Sequence, residues 1–228
     1  MPVMLHGAEE DDLPEGEPDR IVIVDTGAWS QLEPMHAWLA DRYDRIIVVD
    51  HHLRGDDVGA RRLIDAEAAA ACEVVARLID AMDCPYDEVI RQGLYVGIAS
   101  DTGWFRFSNT RAETHELAAR LIRGGVGHAE LFSRLEQHER PEKLTLFIRA
   151  LDSLRMVAGG QAAVMTLRDS DFADTGALQE ETERLIDLPQ IVRDVQVVAL
   201  MVEAEDGRTR LSFRSKPNDA PVDVSDLA

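Results

Sequence analysis

Two β-branched runs constrain this chain more than any other feature. Ile21-Val22-Ile23-Val24 and Ile46-Ile47-Val48-Val49 each end in an aspartate, Asp25 and Asp50, and the second run starts 25 residues after the first. Short, wholly apolar runs of this kind suit strands buried on both faces of a parallel sheet. A helical stretch at about 33–42, with Met35, Trp38 and Leu39 on one side, separates them. The unit therefore reads as strand–helix–strand with a right-handed crossover. In an open parallel sheet the C-terminal ends of the strands emerge at one edge, and ligands bind there. Asp25 and Asp50 are predicted to sit side by side at that edge.

The rest of the chain reads as α/β. An Ala-rich segment predicts a helix over 66–82, with an apolar face through Val75, Leu78 and Ile79. Ile90, Leu94 and Ile98, spaced four apart, predict another over about 86–100, stopping at Asp101-Thr102-Gly103. Residues 104–110 read as a short extended piece, and helices are expected at about 111–124, 128–136, 140–154 and 178–186. Gly159-Gly160 signals a hairpin turn. The apolar run at 195–205, Asp206-Gly207 and the run at 208–216 make the clearest hairpin in the chain.

Charge excludes one broad class. The chain carries 24 Lys and Arg against 43 Asp and Glu, a formal net charge of −19. Such a surface repels phosphate and cannot grip extended nucleic acid through a general basic face. A phosphate-bearing substrate must be held locally, by a few bases or by metal ions. Residues 8–19 hold seven acids and no base, and read as a solvated arm. Two cysteines, Cys72 and Cys84, make neither a disulfide framework nor a cysteine zinc site, so a cytoplasmic setting is expected. No run reaches the ~18 apolar residues of a membrane span, and Met1–His6 lacks the pattern of a signal peptide.

His51 and His52 follow Asp50 directly, and Asp101 lies at the end of an apolar helix. Three carboxylates and two imidazoles converging on one place make a divalent metal site, of a mixed character that suits Mn²⁺, Fe²⁺, Zn²⁺ or Co²⁺. Paired ions there activate water and neutralise a phosphoryl group. His36, His115, His128 and His138 lie on predicted helices or their starts and read as surface residues, with His115 the nearest in sequence to the Asp101 loop. Trp104 and Phe105 read either as base-stacking groups or as packing. Cys72 reads as packed within its helix, and Arg208, Arg210 and Lys216 as solvated strand positions.

Asp50-His51-His52 after Ile46–Val49, the segment 24–27 upstream and the segment 95–110 downstream together resemble the DHH phosphoesterases, and residues 198–216 resemble the associated DHHA1 domain. The spacing is most similar to the short bifunctional oligoribonuclease and 3′-phosphoadenosine 5′-phosphate (PAP) phosphatase type. The resemblance implies a parallel-sheet DHH domain over 1–140, a helical connector over 141–155 and a smaller α/β DHHA1 domain over 156–228. It implies that Asp25 bridges two Mn²⁺ ions, that His51 and Asp101 are further ligands, and that Asp50 lies at or beside the metal shell. His52 is implied to face the substrate phosphate, and Arg214 and Ser215 to grip a terminal phosphate or nucleotide. The implied reaction is hydrolysis of a short oligonucleotide or of PAP by metal-activated water. The partners expected are that substrate, with neither membrane nor extended duplex, and a homodimer is compatible.

Two departures qualify this expectation. The family's first motif, a His followed closely by two Asp after a strand, is not found; His6 with Asp11 and Asp12 is a stand-in without the strand. A glycine-rich GGGH segment after Lys216 is also missing. The chain is expected to be a fragment with impaired activity. The alternatives are a non-catalytic nucleotide-binding protein and a cyclic-dinucleotide phosphodiesterase; a manganese pyrophosphatase is disfavoured by the segment 212–216.

Overall fold

The computed structural model describes residues 16–33, 35–204, 207–216 and 224. The chain divides into two compact units, residues 1–132 and 133–228. In the first unit, β1 (Ile21–Val24), β2 (Ile46–Asp50) and β3 (Arg61–Ile64) form a parallel sheet in the order β1-β2-β3. The register sets Ile21 against Ile46 and Val24 against Val49. The backbone N–H of Asp25 then donates to the Val49 carbonyl at 3.1 Å, which carries the alignment on to the two aspartates. The predicted pair of parallel strands is present.

The central strand β2 is the one buried on both faces. Ile46 and Val48 pack with Ile23, Leu32, Leu39 and Val58 on one side, and Trp29, Met35 and Trp38 lie against that cluster. Leu39 and Trp38 come from the short helix α1 (His36–Ala40). On the other side Val49 packs with Ala68 and Val74. The expectation of two-sided burial fails for β1. Val22 and Val24 are 45% and 44% exposed, because β1 lies at the edge of the sheet among the described residues and the second cluster reaches only Ile47 and Val49 of its neighbour.

Helices α2 (Ala71–Ala81), α3 (Glu88–Asp101) and α4 (Ala112–Arg123) form a third cluster through Ala76, Leu94, Ile98, Ala118 and Leu121. The α2–α3 contact is close because residue 97 is glycine: a Cβ there would fall on the Cys72 sulfur. Cys72 is packed in its helix as expected, and burial first, then Asp101 and Asp25, push its thiol up to about 11. Helix α5 (His128–Glu136) follows, with Leu131 against the same cluster.

Three local expectations are corrected, and one strand is added. The helix expected over 66–82 starts only at Ala71, because Ala70 is extended and the carbonyls of Ala68 and Ala69 serve side chains elsewhere. Strand β3 carries no strand signal in its sequence, since Arg61 and Arg62 mask its apolar half. Residues 104–110 are not extended: Gly103, Trp104 and Phe105 all take left-handed φ, at 54°, 58° and 64°. The segment at 178–186 forms parts of two 3₁₀ turns, broken at Arg184, whose φ is 67°.

The second unit is a mixed sheet in the order β4-β5-β6-β7, comprising β4 (Arg155–Val157), β5 (Ala162–Leu167), β6 (Val197–Glu203) and β7 (Thr209–Ser215). β4/β5 and β6/β7 are antiparallel hairpins, as expected, and β5/β6 is parallel. The turn residues 205–206 lie outside the described residues. Ala163, Met165 and Leu167 of β5 and Val198, Leu200 and Val202 of β6 alternate inward, giving the period-2 core of a half-covered sheet. Leu146 and Ala150 of α6 (Pro141–Asp152) and Phe172 of α7 (Asp169–Thr175) pack on that face.

Gly97→Ala is expected to destabilise the chain by about 1–3 kcal/mol through overpacking, and Cys72→Ala in the same chain to recover part of that loss, read as melting temperature. Thiol labelling with iodoacetamide at pH 8 is expected to modify exposed Cys84 rapidly and Cys72 only after unfolding, because the thiolate is the reactive form. The Cys72 pKa is higher in the folded than in the unfolded state, so the fold holds that proton more tightly. Stability contributed by this group is present below about pH 8.5 and is lost as pH rises through about 11.

Candidate metal centre

The C-terminal edge of the first sheet gathers five of the seven predicted site residues. Asp50 closes β2, is only 1% exposed, and uses one oxygen three times. Its Oδ1 accepts the backbone N–H of His51 at 2.7 Å, that of His52 at 3.1 Å, and the His52 Nδ1–H at 2.8 Å. Burial pushes the Asp50 carboxyl up, but the His52 and His51 donors outweigh it and hold it below the usual carboxylate range. It remains ionised and fixes both histidines at the strand end.

The two rings face different ways. His51 Nδ1 lies 3.1 Å from the Ala68 carbonyl, which only accepts, so Nδ1 carries a proton, and in the neutral ring Nε2 is then the nitrogen with the lone pair. That Nε2 lies 3.5 Å from Asp25 Oδ1 and 3.6 Å from Asp101 Oδ2. The His52 ring is anchored through Nδ1 to Asp50, and its side chain is 57% exposed.

Each acid is aimed by local backbone. Asp25 sits at φ 64°, a left-handed position that aspartate tolerates better than most residues and that turns the chain sharply at the sheet edge. Asp101 is the last residue of α3. The buried Thr102 hydroxyl donates to the Ile98 carbonyl at 2.6 Å and accepts the Phe105 N–H at 3.0 Å, holding the left-handed turn that follows. Burial pushes the Asp25 carboxyl up. It does the same to Asp101, with the Asp25 charge adding to it.

These donors fit a divalent cation. Asp25, Asp50, His51 and His52 offer ligand atoms within 4.8 Å of one another. Ligands about 2.1 Å from one ion stand roughly 3.0–3.4 Å apart at octahedral to tetrahedral angles, close to the 3.5 and 3.6 Å separations around His51 Nε2. The Nδ1–H to carbonyl bond of His51 is the outer contact that metal-ligating histidines use to fix their tautomer. Burial raises the Asp25 and Asp101 carboxyls, with the Asp25 charge adding to the effect at Asp101, so charge on these partly desolvated acids is costly unless a cation offsets it.

Two parts of this arrangement escaped the sequence reading. The Ala68 carbonyl is one. The other is Asn109, whose Nδ2 donates to the Ala69 carbonyl at 3.1 Å and to the Asp101 carbonyl at 3.2 Å. It ties the segment that orients His51 to the segment that carries Asp101. Its only sequence signal is its place in the segment 95–110.

The other candidates lie elsewhere. His36, His115, His128 and His138 are outside the cluster among the described residues, and His115 stacks on Phe105 at 5.4 Å. Trp104 and Phe105 are partly buried against the helical cluster, which favours packing over base stacking. Arg214 and Ser215 lie on β7 of the second unit, where Arg214 is half-exposed with its Nε 3.5 Å from Asp187 Oδ1. Arg210 bonds the Thr182 hydroxyl, and Lys216 the carbonyls of Val192 and Arg193, so both hold local structure rather than standing free. His6, Asp11 and Asp12 lie outside the described residues. Asn109→Ala removes both bonds and is expected to cost about 1–2 kcal/mol, read by chemical denaturation.

No family model matches the chain. Curated relatives do. A bifunctional oligoribonuclease and PAP phosphatase of Thermus thermophilus is 31% identical over 171 residues, covering 75% of this chain and 51% of that protein. A probable enzyme of the same description from Streptococcus mutans is 25% identical, covering 86% and 62%. The Bacillus subtilis enzyme is 26% identical, covering 93% and 67%. The chain thus spans about half to two thirds of the length of these relatives. The crystal structure of an exopolyphosphatase-related protein from Bacteroides fragilis has the same fold, with a TM-score of 0.83 over 88% of this chain and 59% of that one, at 21% identity. The mixed α/β architecture expected from the strands is therefore shared with a solved protein, and the resemblance of this chain to the bifunctional oligoribonuclease and PAP phosphatases is borne out by its relatives.

Proposed function

We propose that this protein is a metal-dependent phosphoesterase acting on short oligonucleotides, on PAP, or on both. One observation carries the reading: a histidine nitrogen, its tautomer fixed by a backbone carbonyl, sits 3.5 and 3.6 Å from two aspartate oxygens at the C-terminal edge of a parallel sheet. Similarity to relatives named for these activities supports the substrate class.

Asp25, His51 and Asp101 would hold Mn²⁺, and Asp50 orients the two histidines behind them. A divalent ion held there supplies Lewis acidity, lowering the pKa of a water and neutralising charge on the phosphoryl oxygens. His52, with Nδ1 tied to Asp50, directs Nε2 outward and donates to a phosphate oxygen when the ring is protonated, with the Asp50 carboxylate as counter-charge. In the second unit Arg214 and Ser215 are the proposed phosphate contacts, a guanidinium fork suiting that geometry. We assign the first unit to the DHH domain and the second to the DHHA1 domain, on the resemblance of residues 46–52 and 198–216 to those families.

The test measures manganese binding by electron paramagnetic resonance, mononucleotide release from a labelled dinucleotide, and phosphate release from PAP. His51→Ala and Asp101→Asn are expected to weaken manganese binding and to lower turnover about 100-fold or more. His52→Ala is expected to spare manganese binding while lowering turnover. Undiminished turnover without divalent ions, or manganese binding untouched by both ligand variants, overturns the metal assignment. Nucleotide binding without any hydrolysis makes the protein a binder instead.

A further inference from the structure

We propose that Arg62 is a direct contact for the substrate phosphate at the metal centre, an inference that rests on the phosphoesterase reading. Arg62 lies in the polar first half of β3, a strand that its own composition does not signal. The register gives it a place. β3 runs parallel to β2 with Arg62 opposite Val48 and Ile64 opposite Asp50. Paired residues of a sheet project to the same side and alternate residues share a face, so the Arg62 side chain leaves the sheet on the face that carries Asp50.

Its guanidinium ends where the loops after β1 and β2 meet. A Cβ placed on Gly55 would lie 3.2 Å from Arg62 Nη2 and 3.0 Å from the Gly27 carbonyl oxygen. One placed on Gly27 would lie 3.7 Å from the same Nη2 and 3.6 Å from Asp50 Oδ2. Arg62 and the Asp50 carboxylate therefore border one point beside Gly27, and the absence of a side chain at Gly55 leaves the guanidinium uncrowded. The loops are held together there. The Asp56 N–H donates to the Gly27 carbonyl at 2.6 Å, and the Trp29 N–H to Asp56 Oδ2 at 2.8 Å.

The guanidinium itself is free to bind. Arg62 is exposed and makes no hydrogen bond or ion pair among the described residues. Arg42, Arg45, Arg77, Arg111 and Arg120 each pair with a carboxylate. In a chain of net charge −19, an unpaired fork of donors beside a carboxylate cluster supplies the local positive charge that an anionic substrate needs. The ligand class is a phosphate ester of a nucleotide.

The test is equilibrium binding of adenosine 5′-monophosphate to the whole chain with saturating manganese. Arg62→Ala is expected to weaken binding about tenfold, and Arg62→Lys to recover part, because a point charge replaces the fork. Arg123→Ala, which removes an equal charge from the end of α4, is expected to leave binding unchanged, and all three variants to melt with the wild type. Wild-type affinity in Arg62→Ala, equal weakening in Arg123→Ala, or no binding by the wild-type protein overturns the contact. Hydrolysis is read separately. Arg62-dependent binding with no hydrolysis leaves the contact standing and fails the phosphoesterase reading. Hydrolysis with KM and affinity unchanged in Arg62→Ala does the reverse.

Discussion

A buried carboxylate at the end of the central strand holds the candidate site together. Asp50 is almost wholly removed from solvent, which disfavours its charge, yet three N–H donors on one oxygen keep it ionised. Two donors are the next backbone amides and the third is the His52 ring, so the same interaction ends the strand, bends the chain and aims both imidazoles. Because side chains alternate along a strand, sliding β2 by one residue would send Asp50 to the opposite face and Val49 to the site. The apolar contacts of Ile46 and Val48 on one side and Val49 on the other forbid that slip. Core packing and site geometry are thus the same constraint.

An acidic protein that engages a phosphate needs its negative charge arranged rather than merely offset. Most arginines of the first unit with a described partner are spent on carboxylates: Arg42 and Arg45 on Glu17, Arg77 on Asp65, Arg111 on Glu73 and Arg120 on Asp80. At the sheet edge the balance is reversed. Asp25 and Asp101 face each other across His51, both with raised carboxyls. Concentrated, partly desolvated negative charge of this kind suits a divalent cation, and with it an anionic ligand.

The backbone around the cluster shows how much irregular structure this takes. Asp25 occupies a left-handed conformation, and three consecutive left-handed residues follow Thr102 after Asp101. The Ala-rich stretch before α2 gives up helix, for which its composition is well suited, so that the Ala68 and Ala69 carbonyls meet His51 and Asn109. Local propensity yields to tertiary hydrogen bonding wherever the site requires a polar backbone group.

The sequence by itself determined the two parallel strands, the acids that end them, the adjoining histidines and the helix that delivers Asp101, because each rests on local hydrophobic periodicity and chain adjacency. It also determined both hairpins of the second unit, where inward residues alternate cleanly along β5 and β6. The tertiary structure alone decided the rest. β3 was illegible because its pairing with β2, not its own composition, makes it a strand. The exposure of Val22 and Val24 follows from strand order, which a single strand does not encode. The tautomer of His51, the bridge made by Asn109 and the position of Arg62 beside Gly27 and Gly55 all depend on groups far apart in the chain. Such contacts leave no periodic trace, since they form only when separate segments are folded onto one another.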